Sequence, residues 1–286
     1  MAQERDIATR ITSLHDLLEI VSAIRAMAAS QMQQAIRSLQ AIGSYSDAVR
    51  DALSDAATLL PSDGSVAAAA HPLKSGLVVF CAEHGLCGAF NERPLRCAEL
   101  AMERSGGRLA LMVIGSRGGQ ICRERGLHPD LILPMATHCV GVTAAARRVA
   151  AELYRMFSQR QIAGVEVIYA QHGEGPFAHL EQHRLLPLEM PTAEPCREKV
   201  PLLINVRPQL LFDDMVGEYF FAALENAAMQ SFFSENSTRF RTMEAAHRNI
   251  ENKSEELTKL LQRLRQEAVT TEILDLISGA EALSSS

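Results

Sequence analysis

Between residues 6 and 60 the chain has no proline and one glycine, Gly43, and its apolar residues recur at alternating steps of four and three. Ile7, Ile11, Leu14, Leu18 and Val21 set the phase; after Arg25 it resumes at Ala28, Met32, Ala35, Leu39 and Ile42. That spacing predicts one helix carrying a heptad seam with a single charged interruption. Such a helix would be roughly 80 Å long, more than a compact domain can cover. The other end of the chain repeats the pattern. From residue 209 to 283, Gly217 is the only break before Gly279, and Met243, Ala246, Ile250, Leu257, Leu260, Leu264 and Leu274 keep a three/four spacing, interrupted at Lys253 and Glu267. This second helix would span roughly 110 Å. No segment between the two is long enough to cover either seam, so the expectation is burial of one against the other. The two ends of the chain would form an antiparallel, two-stranded coiled coil.

The middle of the chain has another rhythm. PSDGSVAAAAHP breaks the first helix and reads as a linker. The β-rich runs GLVVFC, RLALMVIG and GVEVIYA then alternate with the helix candidates ERPLRCAELAMERS, RGGQICRERG and TAAARRVAAELYRMFSQRQ. Strand alternating with helix implies a mostly parallel sheet covered by helices, a Rossmann-like α/β domain. Prolines at 176, 187, 191, 195, 201 and 208 make 171–208 edge strands and loops rather than further βα units. The expected architecture is therefore α/β plus long coiled coil: an N-terminal coiled-coil helix over 1–60, a linker over 61–73, a central α/β domain over 74–206 and a C-terminal coiled-coil helix over 207–286.

Composition narrows the partners. A net charge of −6 argues against nucleic acid, which needs a basic face. Apolar runs such as LALMVI are too short to span a bilayer, and MAQERDIATRI lacks a signal pattern. Six cysteines, at 81, 87, 97, 122, 139 and 196, are then expected as free thiols in a reducing compartment.

The stretch EHGLCGAFNERP, residues 83–94, poses the chemical question. A nucleophile elbow reads G-x-nucleophile-x-G, whereas here the second glycine comes one place early around Cys87. A phosphate cradle would need a Gly-rich run with a trailing Lys-Ser/Thr, and GSRGG at 115–119 lacks the third spaced glycine of a dinucleotide turn. Cys81, His84 and Cys87 are spaced three apart, but a strand-to-loop segment does not readily converge three metal ligands. The favoured reading of Cys87 is a small buried residue at a tight βα turn.

GLCGAFN at 85–91, IGSRGGQICRERG at 114–126, and above all SENSTRFRTMEAAHRN and LRQEAVTTEILDLISGAEAL near the end carry a resemblance. Over its full length the chain resembles the γ subunit of F-type ATP synthases. The resemblance implies a rotor. Paired terminal helices form a central shaft whose tip enters a ring of α and β subunits, while the α/β domain sits on the membrane c-ring beside ε. Nucleotide chemistry belongs to β. The resemblance also implies that Gly85, Cys87, Gly88 and Asn91 form a purely structural turn, with no catalytic, cofactor-binding or metal-binding residue and no cofactor. It further implies that Arg239, Met243, Asn249, Arg265, Gln266, Thr270 and Glu272 of the last helix, with Ala28, Ala29, Ser30 and Met32 of the first, form the shaft surface facing that ring. The lack of a transit-like leader points to the cytoplasmic face of a bacterial plasma membrane. Departures from the family pattern fall at Gln31, Gln33, Gln34, Ile24, Arg25, Glu244, His247 and Arg248. They imply partner surfaces altered in step, as in an alternative bacterial F-type ATPase. Two other functions compete: a cytoplasmic enzyme using Cys87 or the GSRGG turn, and a coiled-coil scaffold that does not rotate.

Overall fold

The computed structural model describes residues 2–60, 74–171, 179–188 and 204–284; the expected linker at 61–73 lies outside them. Helix α1 (Ala2–Thr58) and helix α5 (Pro208–Ser284) are each continuous. Between them come β1 (Lys74–Phe80), α2 (Glu92–Ser105), β2 (Leu109–Ile114), α3 (Ser116–Glu124), β3 (Leu131–Leu133), a 3₁₀ turn (Cys139–Gly141), α4 (Val142–Ser158), β4 (Ile162–Gln171) and β5 (His179–Leu186). These elements form two compact units, Met1–Ala28 with Phe240–Ser286, and Ala29–Arg239.

In the first unit the early part of α1 and the late part of α5 bury Ile7, Ala28, Met243 and Leu261. The remaining seam residues of α1 in this unit, Ile11, Leu14, Leu18, Val21 and Arg25, are half-buried. Arg25 uses its seam position to donate to Glu244 across the pair at 2.7 Å. The seam on α5 differs from the expectation at one point. It runs through Leu261, 8% exposed, rather than Leu260, 40% exposed, and Leu274 lies outside it at 58%. The cause is Ser254, half-buried, which occupies the seam between Ile250 and Leu257. Counting apolar residues alone passes over a serine and loses the phase.

The second unit is built on a five-stranded sheet of order β3-β2-β1-β4-β5. β1 pairs in parallel with β2 and β4, and β2 with β3, while β5 runs antiparallel along the edge of β4. Because β1 and β2 are covered on both faces they read as unbroken apolar runs. Alternate residues divide between two cores. Val78, Phe80, Met112 and Ile114 face α4 and the α1/α5 segments of this unit, meeting Val149, Leu153, Ala35, Leu224 and Phe232. Leu77, Val79, Leu111 and Val113 face α2 and α3, meeting Leu95, Ala98 and Cys122.

GSRGG now has a packing explanation. Gly115 begins α3 with φ +120, and a Cβ there would sit 2.5 Å from the carbonyl oxygen of Cys81. At Gly118 a Cβ would lie 2.1 Å from the Cβ of Cys81. The glycines let α3 start almost in contact with the end of β1. Gly118→Ala should therefore lower unfolding free energy by about 2 kcal/mol or more, read as an earlier midpoint in urea denaturation of the whole chain; an unchanged midpoint would refute the close-packing account.

Candidate functional site

Open parallel sheets bind ligands in the crevice at the carboxyl ends of the strands, where neighbouring connections leave in opposite directions. Here that point lies between β1 and β4. The segment leaving β1 carries the GLCG turn. Leu86 and Gly88 both take positive φ, 62° and 54°, which tightens the backbone enough to tuck Cys87 inward. Cys87, Phe90, Ala82 and Ala170 form a small buried cluster. Asn91 closes the turn: its side-chain oxygen accepts from the Ala82 N–H at 2.8 Å, and its carbonyl accepts from the Leu95 N–H in the first turn of α2.

Helix α5 fills this crevice. All six residues of 231–236 are buried. The Ser234 hydroxyl donates to the Ala170 carbonyl at 3.0 Å, at the end of β4. Arg239 donates to the Gly85 carbonyl at 3.4 Å and to the Asn236 side-chain oxygen at 3.0 Å, and it is ion-paired with Glu235. Burial pushes the Glu235 carboxyl up to about 7, against the pull of the Arg239 guanidinium and of the Glu83 N–H. Glu83 itself fastens the neighbouring loops. Its carboxylate accepts from the Ser116 N–H at 3.0 Å, the Ser116 hydroxyl at 2.7 Å and the Met135 N–H at 2.7 Å. Burial raises the Glu83 carboxyl, but these donors more than offset it, leaving it below its ordinary value.

This arrangement suits packing rather than attack. Cys87 is 3% exposed, its thiol donates to the His84 carbonyl, and burial pushes its pKa up to about 11. A nucleophilic cysteine needs the opposite shift. Cys81 packs in the core with Cys122 on the α2/α3 face of the sheet, whereas Cys87 packs in the cluster at the turn and His84 is exposed. The three therefore do not converge, and among the described residues no group of His, Cys, Asp or Glu is placed to hold a metal ion.

The expected shaft residues occupy several environments. Within the first unit, Ala28 and Met243 are buried in the helix pair, while Asn249, Arg265, Gln266 and Thr270 are exposed. The side chain of Glu272 lies outside the described residues. Within the second unit, Ala29 is half-buried, Ser30 is exposed, and Met32 packs against the main core. Arg239 is engaged by the crevice as above. Sequence reading did not single out Glu83 or Glu235; the signal for Glu235 is the polar run Ser-Glu-Asn directly after two phenylalanines. Among the residues expected to depart from the family pattern, Gln31, Arg25, Glu244 and Arg248 have partners inside the chain. Gln31 accepts from the Cys139 N–H at 2.9 Å, and its amide nitrogen lies 3.3 Å from His138 Nδ1. Glu244 bridges Arg25 and Arg248, and those hydrogen bonds, Arg25's foremost, hold its carboxyl below the ordinary range.

The raised carboxyl of Glu235 fixes the sign of a pH effect. A carboxyl near 7 in the folded chain and near 4.5 unfolded keeps its proton longer when folded, so its contribution is fully present below the unfolded value and is lost as pH rises through the folded one. Measured against Glu235→Gln, the melting temperature of the wild-type chain should fall between pH 5 and about pH 7.5; parallel pH profiles would show that Glu235 is not perturbed.

A family model described as ATP synthase matches residues 3–283. The chain is 26% identical to the ATP synthase gamma chain of Pelotomaculum thermopropionicum over 292 aligned residues, covering 99% of this chain and 100% of that one. To the ATP synthase gamma chain of Solibacter usitatus it is 28% identical over 288, covering 97% and 98%. Its fold is similar to a chain of the Euglena gracilis mitochondrial ATP synthase rotor, with a TM-score of 0.66 at 13% identity, covering 94% of this chain and 99% of that one. It is also similar to a chain of the Tetrahymena thermophila mitochondrial ATP synthase central stalk and c-ring, with a TM-score of 0.58 at 18% identity, covering 79% and 99%. The chain belongs to the ATP synthase γ-chain family.

Proposed function

We propose that this chain is the central-stalk rotor of a bacterial F-type ATP synthase or ATPase. It is a non-catalytic subunit that carries torque between the membrane c-ring and the β subunits. The observation that carries this reading is the family match across residues 3–283, which takes in both long helices. Rotation is transmitted by the paired helices: the α and β ring surrounds the shaft, and the sheet domain docks on the c-ring beside ε. The complex sits peripherally at the cytoplasmic face of the plasma membrane.

Surface chemistry in the first unit supports a surrounding partner. Leu17, Ile20 and Met27 on α1 and Val269, Ile273, Leu274 and Ile277 on α5 are 49–59% exposed, more apolar side chain than an isolated helix pair leaves in water. Among the expected contact residues, Ser30, Asn249, Arg265, Gln266 and Thr270 present polar groups outward, and we assign them, with Glu272, to the face meeting α and β. Ala28 and Met243, buried in the helix pair, support that face from within the same unit, while Ala29, Met32 and Arg239 belong to the sheet-bearing unit. In this role the chain carries no catalytic residue of its own, a reading supported by α5 filling the crevice at the strand ends and by the burial of the Cys87 thiol.

Mixing the chain with its cognate α and β subunits should give a single copy bound per ring and an ATPase; self-association without a ring would favour the scaffold reading. Cys87→Ala should leave ATP turnover of that complex within about twofold, since the change removes one sulfur from a packed turn and costs about 1 kcal/mol of stability. Complete loss of turnover would favour the enzyme. Leu257→Pro deletes a backbone hydrogen bond in α5 at about 3 kcal/mol or more. The variant complex, reconstituted with the c-ring in vesicles, should hydrolyse ATP without pumping ions; normal pumping would contradict torque transmission through an intact helix.

A further inference from the structure

Gly43 and Gly217 stand inside the long helices of the second unit, and no neighbour accounts for either. A Cβ built on each would meet nothing within 4 Å, and neither takes a positive φ. Inside α3, by contrast, Gly118 and Gly119 are crowded by Cys81 and Ile132. Alanine would fit at 43 and 217 and would hold a helix better, so the glycines weaken α1 and α5 without serving packing. We infer that Gly43 and Gly217 form a hinge, about which the paired helix ends, residues 44–58 and 208–216, bend against the sheet-bearing core. The hinge belongs to the chain alone and does not depend on the rotor reading.

Each glycine lies where its helix leaves the main core. Ile42 is the last residue of α1 in that core, and Phe220 is the first of α5 packed against it. Val49, Leu53 and Ala56 are buried further along α1 but lie outside it, and α5 has no buried residue from 208 to 221. Local chemistry favours bending at the same place. The Ser44 hydroxyl donates to the Gln40 carbonyl at 3.1 Å, along the helix and past Gly43. Gly-Ser pairs, and hydroxyls bonded back by four residues, are recurrent sites of helix bending. Packing beside the hinge is loose as well. A cavity of about 170 Å³ opens there, lined by Ser46 and Arg50 just past Gly43 and by Tyr219, Ala222 and Ala223 just past Gly217. The Ser46 hydroxyl is buried with no hydrogen-bond partner. Protein interiors seldom leave such space, and here it lets the helices tilt before close contacts resist. Tyr45 donates to Glu218 at 2.6 Å across the joint, through an exposed bond that water can replace.

Amide hydrogen exchange followed along the full-length chain tests this. A hinge predicts local maxima of exchange at residues 43–47 and 217–221, whose N–H groups bond across each glycine by the helical step of four, with slower amides on both sides. In Gly43→Ala/Gly217→Ala exchange at those maxima should slow by roughly fivefold or more, because alanine is the stronger helix former, while exchange in α2 stays as it was. Alanine meets open space at both positions, so the double variant should keep the wild-type circular dichroism and melt no earlier. Exchange that climbs steadily toward Thr58 and Pro208 would mark frayed helix ends, and maxima that the double variant leaves untouched would have another cause. Either result would overturn the hinge.

Discussion

A helix on a protein surface buries one stripe and exposes the rest, yet residues 231–236 of α5 are buried all the way round. Phe232 and Phe233 fill the core between sheet and helices, while Ser234, Glu235 and Arg239 hold the backbone ends of β4 and β1 on the other side. Covering two phenylalanines contributes about 2–3 kcal/mol each. Desolvating a carboxylate works against that and is tolerated because a guanidinium and an amide N–H meet it. The crevice that other parallel sheets keep for a ligand is thus occupied by the chain's own helix. The GLCG turn, the glycine-started α3 and the loop fastened by Glu83 form its walls. Within this unit, α5 is hydrogen-bonded directly to the segments that end β4 and leave β1.

Several charged and amide side chains on the long helices are engaged inside the chain. Arg25 and Glu244 face each other across the first unit's helix pair, and Gln31 ties α1 to the 3₁₀ turn ahead of α4 in the second. A charge placed at a seam position would ordinarily weaken a coiled coil. Here it is matched by an opposite charge on the other helix, so each makes sense only beside its partner. The charge pattern is, at these positions, a property of how the chain packs on itself.

Much of this was legible in the sequence because it depends on local periodicity. Ile7 to Ile42 gave the buried stripe of α1, and the apolar runs of β1, β2 and β4 marked strands covered on both faces. ERPLRCAELAMERS coincides with α2 residue for residue. What escaped was set by tertiary contact. β3 has only three residues, too few for a pattern, and is a strand because β2 lies beside it. Ser254 takes a seam position by phase and not by hydrophobicity, which moved the buried leucine from 260 to 261. Glu83 resembles any exposed glutamate in the sequence, and only the fold places it beneath the α3 start; Glu235 stands four residues before Arg239 on one helix, but only the crevice buries it. The cavity around Ser46 joins residues from both long helices and the sheet edge, a juxtaposition no local window contains.

The central claim is that the chain turns as a rotor, its paired terminal helices inside a ring of α and β subunits. Its most direct measurement is single-molecule rotation. The ring of cognate α and β subunits is fixed to a surface, and a bead is attached through Tyr154→Cys, whose tyrosine on α4 is 77% exposed. With ATP supplied, the account predicts sustained rotation of the bead in one direction. A complex that hydrolyses ATP while an attached bead stays still, or only jitters about one angle, would contradict it.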